Sequence, residues 1–411
     1  MHAYPQQLAD FVLDHWPKGA SRVFERRALM EVLSNCFQAS LTHEEGRPVR
    51  FRLVLGGLAD VTARTSEDHF LPLALEVPRG LTPDNLRRLS PAAPFHSSLI
   101  GADGEGAEWS IWGLVHSGAE WLAPSWGGRD RHLSLGLPEV HVTGAGRLGV
   151  YAGPELVATL ERGTIEATTT DVFTSNWLSA LFRGTRQRFA AQRAENLTRA
   201  DDALVRWISQ HMVRRAIFLI RQAGHGGMLL FAEPEFLEHC ACEKLPPLRS
   251  KYRLTDGPAR ERYRTLMARL IAELERNQPK GPADLERFLS EETPEVTRAE
   301  QAIFELSRLI AGLAAVDGAV VLSKRFDLMG FGAEVSGELP YPDTVFQALD
   351  VDGERRSPEA ANSVGTRHRA AYRFVTSHPS GLAIVVSHDG IVRFVANHGG
   401  DVVYWDQFLN W

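Results

Sequence analysis

The sequence predicts an α/β (α+β) protein, with a mixed β-sheet flanked by helices in its C-terminal part and a β-rich α+β region before it. Apolar residues recur at helical spacing in stretches such as 204–216 and 303–313, and short apolar runs alternate with turn-forming residues between 58 and 172. Of the 411 residues, 44% are hydrophobic and 23% are charged. These ordinary globular values exclude a disordered or collagen-like chain, and the length predicts about two or three domains.

The first predicted domain, residues 1–175, combines helices with many strands. Apolar positions between 17 and 41 have helical spacing and predict one or two amphipathic helices. A partly alternating run at 50–55 predicts a strand. The short apolar runs that follow, separated by Gly, Pro, Asp and Ser, predict a mostly antiparallel β region.

The second predicted domain, residues 176–290, is helical with one clear strand. Residues 177–222 and about 258–277 have helical periodicity, and the apolar run 228–232 predicts a strand between them. The turn Gly224–Gly227 precedes this strand, and its glycines permit positive φ or close backbone approach. His225 in this turn either contacts a ligand or belongs to a plain tight turn.

The third predicted domain, residues 295–411, follows a pair of helix breakers. Prolines at 278–282 and 291–294 predict the main boundary at about 278–295. Thr297 and Glu300 have the spacing of a capping box and predict the start of the next helix there. The order helix, small-residue turn, strand occurs at 216–232 and again at 306–323, which predicts two similar supersecondary units.

Composition also bounds the cellular setting. Three cysteines cannot form a disulfide framework in a chain of this length, so a reducing compartment fits. We find no signal-peptide pattern and no run of about 18 apolar residues, and we therefore expect a cytoplasmic protein without membrane spans. A formal charge of −6 argues against a dedicated nucleic-acid partner.

Residues suited to chemistry concentrate in the C-terminal domain. Gly365–Ala371 (GTRHRAA) predicts a helix start, which is either a phosphate site or a basic, solvated helix end. Asp317 ends an apolar helix and is either a turn residue or an acid presented at a sheet edge. Ser387 follows a predicted buried strand, at the end of a strand where α/β folds hold ligands.

The three motifs in this order resemble the diadenylate cyclase (DAC) domain. The signatures of that family are DGA and RHR, which stand here as Asp317–Ala319 and Arg367–Arg369, and the resemblance covers about 295–411. The family condenses two ATP molecules into cyclic di-AMP and two pyrophosphates with a divalent metal, Mn²⁺ or Mg²⁺. The resemblance therefore implies ATP as substrate and a homo-oligomer with two DAC domains face to face.

The resemblance also implies roles for single residues. It assigns catalysis to three side chains, with Asp317 near the attacking ribose hydroxyl and the metal: Asp317, Arg367 and His368. It assigns ATP binding to six further residues: Gly318, Ala319, Gly365, Thr366, Arg369 and Ser387. It assigns the metal to two carboxylates: Asp317 and Asp389.

Two features depart from the family pattern. An acidic residue usually follows the serine directly, whereas His388 stands here and only Asp389 supplies a carboxylate. The stretch between the two signatures is longer than usual and contains the polar loop 350–356, which could cover the nucleotide or restrain the dimer. Two alternatives therefore remain beside an active diadenylate cyclase. One is a DAC-like module that binds nucleotide without turnover, and the other is a cyclase that makes another cyclic dinucleotide.

The N-terminal region has a fainter resemblance. Residues 40–52 and 223–230 look like a sensor region, called DACNV, that is found before DAC domains. The resemblance implies a regulatory region whose ligand is unknown.

Overall fold

A computed structural model describes most of the chain. The described ranges are 2–20, 24–64, 70–106, 108–118, 134–161, 163–166, 171–191, 201–242, 246–277, 283–291, 293–388 and 390–407. They divide into two compact units, a first unit up to residue 166 and a second unit from 171 to 407. Within the described ranges, no helix has the length and apolar character needed to cross a membrane.

The first unit is built on an eight-stranded sheet in the order β10-β9-β8-β7-β3-β5-β6-β4, with a separate hairpin β1-β2. Its helices are α1 (Pro5–Asp14), α2 (Arg26–Ser40), α3 (Leu58–Arg64) and α4 (Pro83–Leu89). Its strands are β1 (His43–Glu44), β2 (Arg47–Pro48), β3 (Phe51–Leu55), β4 (Leu71–Gly80), β5 (Ser98–Glu105), β6 (Glu108–His116), β7 (Pro138–Gly144), β8 (Arg147–Ala152), β9 (Glu155–Glu161) and β10 (Thr164–Glu166). Neighbouring strands are antiparallel except for β3 and β5, which confirms the predicted antiparallel β region.

The core of the first unit lies between the sheet and α1, α2 and α4. Alternate residues of β3, such as Phe51 and Leu53, join helix residues such as Leu29 and Val32 in one apolar cluster. The intervening residue Arg52 points to the other face and is only 2% exposed. Both faces of the strand at 51–55 are therefore buried, one lined by apolar residues and the other carrying Arg52, as its partial alternation indicates.

The second unit is built on a nine-stranded mixed sheet in the order β12-β14-β13-β11-β17-β18-β19-β15-β16. Its helices are α5 (Asn176–Ala191), α6 (Asp202–Ala223), α7 (Pro234–Cys242), α8 (Arg262–Asn277), α9 (Leu285–Ser290), α10 (Pro294–Leu313) and α11 (Thr366–Ser377). Its strands are β11 (Gly227–Ala232), β12 (Leu248–Arg253), β13 (Ala319–Ser323), β14 (Leu328–Val335), β15 (Thr344–Ala348), β16 (Arg356–Ala360), β17 (Leu382–Val386), β18 (Val392–His398) and β19 (Asp401–Gln407). Helices on both faces of this sheet agree with the predicted α/β class.

The two faces of this sheet have separate cores. Leu229 and Phe231 of β11 pack with α6, α8 and α10 on one face. Met228 and Leu230 pack with α11 on the other face, together with Phe374. The sheet is therefore a middle layer, and β11 is buried on both sides, as its continuous apolar run indicates.

The predicted segments 176–290 and 295–411 share this sheet. β11, from the earlier segment, is parallel to β13 and antiparallel to β17, both from the later one. The two segments therefore form one unit in the structure, because backbone hydrogen bonds of the sheet join them. The predicted breaker at 278–282 lies outside the described residues.

Two local predictions differ from the structure. Helix α10 begins at Pro294 with Thr293 as its N-cap, so the capping box at Thr297 and Glu300 is wrong. The reason is that Pro294 fits the first turn of a helix, where its missing N–H costs nothing. Helix α1, from Pro5 to Asp14, lies before the predicted helical stretch at 17–41 and was not predicted.

Candidate functional site

A cleft of about 770 Å³ lies at one end of the central strands of the second sheet, where α11 begins and β17 ends. This volume is in the usual range for small-molecule sites. Its wall comprises Met228, Asp317, Gly318, Ala333, Glu334, Val335, Gly365, Thr366, Arg367, His368, Ala370, Val385, Ser387 and His388. The cleft therefore joins the DGA motif, the GTRHR motif and the predicted serine, although they are distant in the sequence.

The first turn of α11 forms one wall of the cleft. Gly365 is the N-cap in an extended conformation, and no side chain caps this helix end. The first N–H groups of a helix have no partner inside the helix, and this end carries the positive part of the helix dipole. Thr366 and Arg367 add a hydroxyl and a guanidinium. This wall is suited to an anionic group such as a phosphate.

Asp317 also lines the cleft. It lies in the turn between α10 and β13, and its side chain is exposed. Gly318 follows with φ of +112°, and a Cβ on it would lie 2.6 Å from the Gly332 carbonyl carbon. Glycine is thus required here for close packing on β14. Ala319 begins β13 and is 1% exposed in the core, outside the cleft lining.

A second carboxylate, Glu334, lines the cleft beside Asp317. Its Oε1 lies 2.8 Å from Nζ of Lys251, which β12 brings alongside β14. The hydrogen bond from Lys251 holds the pKa of Glu334 below its usual value, and Glu334 raises the pKa of Lys251. No sequence motif marks either residue, since only the pairing of β12 with β14 places them there.

Ser387 and His388 directly follow β17 and line the cleft. The Ser387 hydroxyl donates to the Ile391 carbonyl at 3.1 Å and accepts from the Ile391 N–H at 3.0 Å. These hydrogen bonds stabilise the turn into β18. His388 is exposed and lines the cleft. Asp389, the other predicted metal ligand, lies outside the described residues.

The two arginines of the RHR motif have different surroundings. Arg367 lines the cleft, and its Nη2 donates a long hydrogen bond of 3.5 Å to the His225 carbonyl. Arg369 is absent from the described cleft lining and lies near enough to Tyr341 to lower its pKa by its charge, although burial gives that pKa a net rise. Neighbouring side chains two residues apart on a helix do not share a face, which explains the separation.

The donor set of the cleft fits a hard divalent cation that a substrate helps to bind. Among the described residues, no three His, Cys, Asp or Glu side chains cluster as a complete protein site. Mg²⁺ commonly takes only one or two carboxylates and completes its shell with water and substrate phosphates. Asp317 can supply such a carboxylate, with Glu334 as a second one nearby.

The polar loop 350–356 lies away from the cleft lining. The Asp352 carboxylate accepts from the Asn176 N–H at 2.8 Å, and Trp177 donates to the Val351 carbonyl at 3.1 Å. Trp177 also stacks on Trp405 with ring centroids 4.1 Å apart. The loop therefore stabilises the start of α5. Its predicted roles, covering a nucleotide or restraining a dimer, stay predictions.

Comparison with known proteins identifies one region. Residues 19–116 match the family model described as probable sensor domain DACNV. The match includes the predicted stretch 40–52, whereas 223–230 falls outside it and lies in the second unit, partly in β11. No curated protein and no solved structure matches the chain.

Proposed function

We propose that the protein is a diadenylate cyclase, which condenses two ATP molecules into cyclic di-AMP and two pyrophosphates under the control of its N-terminal sensor region. The observation that carries the proposal is one cleft whose lining includes Asp317 and Gly318 of the DGA motif and residues 365–368 of the GTRHR motif. The match to a sensor domain at 19–116 supports a regulated protein.

The described side chains suit phosphoryl transfer. In each half-reaction a ribose 3′-hydroxyl loses its proton and attacks the α-phosphorus of the other ATP, so that one P–O bond forms and pyrophosphate leaves. Asp317 can accept that proton, since its exposed carboxylate faces the cleft. Thr366, Arg367 and the helix N-terminus, which line the same cleft, hold phosphate oxygens. This division of roles provides the positioning and charge neutralisation that phosphoryl transfer needs.

A divalent cation, Mn²⁺ or Mg²⁺, belongs to this proposal. Asp317 would hold it together with the nucleotide phosphates, and Asp389 is the second proposed ligand. When bound, the cation neutralises developing phosphate charge. His388 stands where an acidic residue is usual, so we expect the choice of metal to depend on this site.

The reaction also requires two copies of the chain. One cleft binds one ATP, and each ATP is both attacked and attacking. Two clefts therefore face each other across a two-fold axis, and an isolated copy is inactive.

Mass spectrometry tests the proposal directly. The purified protein is incubated with ATP and either Mg²⁺ or Mn²⁺, and we expect cyclic di-AMP and pyrophosphate in a ratio of about one to two, as the condensation requires. Retained ATP binding without product under either metal would reject the cyclase.

The second candidate is a DAC-like module that binds nucleotide without turnover. It is favoured by His388 at the cleft and by the Ser387 hydroxyl, which the turn to Ile391 already engages. Tight ATP or cyclic di-AMP binding with no product supports this candidate. Competition among four nucleotides in the same assay separates ATP from another substrate base.

A further inference from the structure

The turn that joins α6 to β11 lies directly against the cleft. Helix α6 ends at Gly224, which has a left-handed conformation, and the chain turns through His225 and Gly226 into β11. Gly227 then pairs with Val386 of β17. Residues 223–230 resemble part of the sensor region in sequence, but this turn leads into the sheet of the second unit.

Gly226 occupies a crowded position in this turn. A Cβ built on it would lie 2.9 Å from Nη1 of Arg367, 2.8 Å from the Val386 carbonyl oxygen and 3.2 Å from the His388 N–H nitrogen. The same guanidinium donates to the His225 carbonyl through Nη2. Arg367 therefore lies across the bare backbone of the turn, and any side chain at 226 would take its place.

We propose that Gly226 is a positioning residue for Arg367. This inference rests on the proposed function, in which Arg367 binds a phosphate group. An arginine side chain has many rotamers, and its fork binds phosphate well only in a defined orientation. Because Gly226 has no side chain, it leaves a slot that the Arg367 guanidinium occupies. The His225 carbonyl lies at the end of this slot and accepts a hydrogen bond from the guanidinium. The slot therefore restricts the guanidinium to the cleft.

Gly224 provides a matched control two residues away. Both glycines have positive φ, +72° at Gly224 and +65° at Gly226, so alanine strains the backbone at either position. A Cβ on Gly224 would meet nothing within 4 Å. A difference between the two alanine variants therefore reports the occupied space rather than the φ angle.

The experiment measures ATP affinity by titration calorimetry in the presence of Mg²⁺, and thermal unfolding, for Gly226→Ala and Gly224→Ala. The titrated ligand is 3′-deoxy-ATP, which lacks the attacking hydroxyl and is therefore not consumed. We expect Gly226→Ala to weaken ATP binding by about ten-fold or more, and Gly224→Ala by less than about two-fold, since one charge-assisted phosphate contact is at stake. Unchanged ATP affinity in folded Gly226→Ala would overturn the proposal.

A double-mutant cycle separates Arg367 from Val386, because Cβ would approach both. In an Arg367→Ala background, Gly226→Ala should change ATP affinity by less than about two-fold, because the side chain through which it acts is gone. An equal loss in both backgrounds would overturn the proposal. The Gly226→Ala variant could fail to fold. In that case, folding that is restored by adding Arg367→Ala supports a steric conflict between the two side chains. Failure to fold in both backgrounds contradicts that conflict and the proposal.

The outcomes also separate this inference from the cyclase. Unchanged ATP affinity together with normal product formation by Gly226→Ala rejects the positioning role and leaves the cyclase intact. Loss of ATP affinity on Gly226→Ala, in a protein that makes no cyclic product, supports the positioning role and rejects the cyclase. Absence of ATP binding by the unaltered protein rejects both.

Discussion

Asp317 is the residue whose charge the proposed chemistry needs most. Its carboxylate is exposed at the cleft, which the N-terminus of α11 also lines. Asparagine has the same size but cannot accept the proton of a ribose hydroxyl. We expect Asp317→Asn to lower the rate of cyclic di-AMP formation by about 100-fold or more, while ATP affinity changes only a few-fold.

The control for this substitution is Asp343→Asn, an exposed aspartate outside the described cleft lining. Its turnover should equal that of the unaltered protein. Normal turnover of Asp317→Asn would contradict the assigned role.

Gly318 shows why the DGA motif contains a glycine. Its φ is +112°, and its Cα faces the backbone of Gly332 and Ala333. We expect Gly318→Ala to lower the free energy of unfolding by about 2–4 kcal/mol, because it combines backbone strain with a steric clash. Gly400 has a comparable φ of +94° with nothing within 4 Å, so Gly400→Ala should cost about 1 kcal/mol.

Chemical denaturation measures both substitutions. Equal losses of stability would show that φ alone, and not the approach of β14, requires the glycine at 318. Gly318 lines the cleft, so its predicted contact with a nucleotide stays a prediction beside this packing on protein backbone.

At the scale of elements, the sequence patterns predicted those helices and strands that depend on a single stretch of the chain. The two helix–turn–strand units at 216–232 and 306–323 are α6–β11 and α10–β13. Their strands are adjacent and parallel. Helical and strand periodicity are local properties, so a sequence reveals them.

Long-range pairing accounts for most of what the sequence did not reveal. The proximity of Glu334 to Asp317 depends on the register of β12, β13 and β14, which are joined by no motif. Strand register depends on the burial of a whole face and on turn geometry, so a shift by one residue would move Glu334 away. The placement of β11 in the second sheet escaped prediction for the same reason.

The C-terminal end of α11 is anchored by a half-buried polar network around Glu233. Its Oε1 lies 2.8 Å from Nζ of Lys324, and its Oε2 accepts from His378 at 2.7 Å and from Ser380 at 2.8 Å. Burial would raise the pKa of Glu233, but the hydrogen bonds from His378 and Lys324 outweigh it and hold the pKa below the usual 4.5. The network thereby ties α11 to the ends of β11 and β13.

This network predicts a pH dependence. Because the folded pKa of Glu233 is below the unfolded value, its stabilisation is complete above about pH 4.5 and is lost as the pH falls toward the folded pKa. We expect Glu233→Gln to lower the free energy of unfolding by about 1–3 kcal/mol at pH 7. The difference from the unaltered protein should narrow as the pH decreases below about 4.5.

Thermal unfolding across this pH range measures the effect. Glu295→Gln is the control, since Glu295 pairs with Arg298 on the exposed surface of α10. Its difference from the unaltered protein should stay within about 1 kcal/mol throughout. A constant difference for Glu233→Gln would contradict the proposed titration.

At the scale of the whole molecule, the two compact units predict two unfolding transitions. Arg52 is buried in the first unit, where it donates to the Phe95 carbonyl at 3.0 Å and to the Ser117 hydroxyl at 2.5 Å. Its Nη1 lies 3.9 Å from Glu139. Burial lowers the pKa of Arg52 to about 10, which still leaves it charged at neutral pH. Removing the charge of Arg52 therefore leaves the buried Glu139 carboxylate without the nearby guanidinium.

We expect Arg52→Met to destabilise the first unit by about 3–5 kcal/mol. Scanning calorimetry should show one transition shifted by Arg52→Met and the other shifted by Glu233→Gln. Arg147→Met is the control, because the ion pair of Arg147 with Glu161 is partly exposed and contributes about 0–1 kcal/mol. A single transition that both substitutions shift equally would show that the two units unfold together.

Two copies of the chain are needed if the proposed reaction is correct, and dilution tests this need. At saturating ATP, the rate of an enzyme that is active as a monomer is proportional to its concentration. For a facing pair, product formed per chain should fall once dilution separates the copies. Mass photometry over the same concentrations identifies where this separation occurs.

An inactive partner makes the same test sharper. Because both phosphodiester bonds need a functional Asp317 in the proposed pair, excess Asp317→Asn chains should reduce the activity of unaltered chains by forming mixed pairs. Asp317→Asn chains that also carry Gly318→Ala should inhibit less if the second substitution unfolds them. Constant activity per chain at concentrations where only monomers are present would contradict the facing pair, and would require a single cleft to hold both ATP molecules.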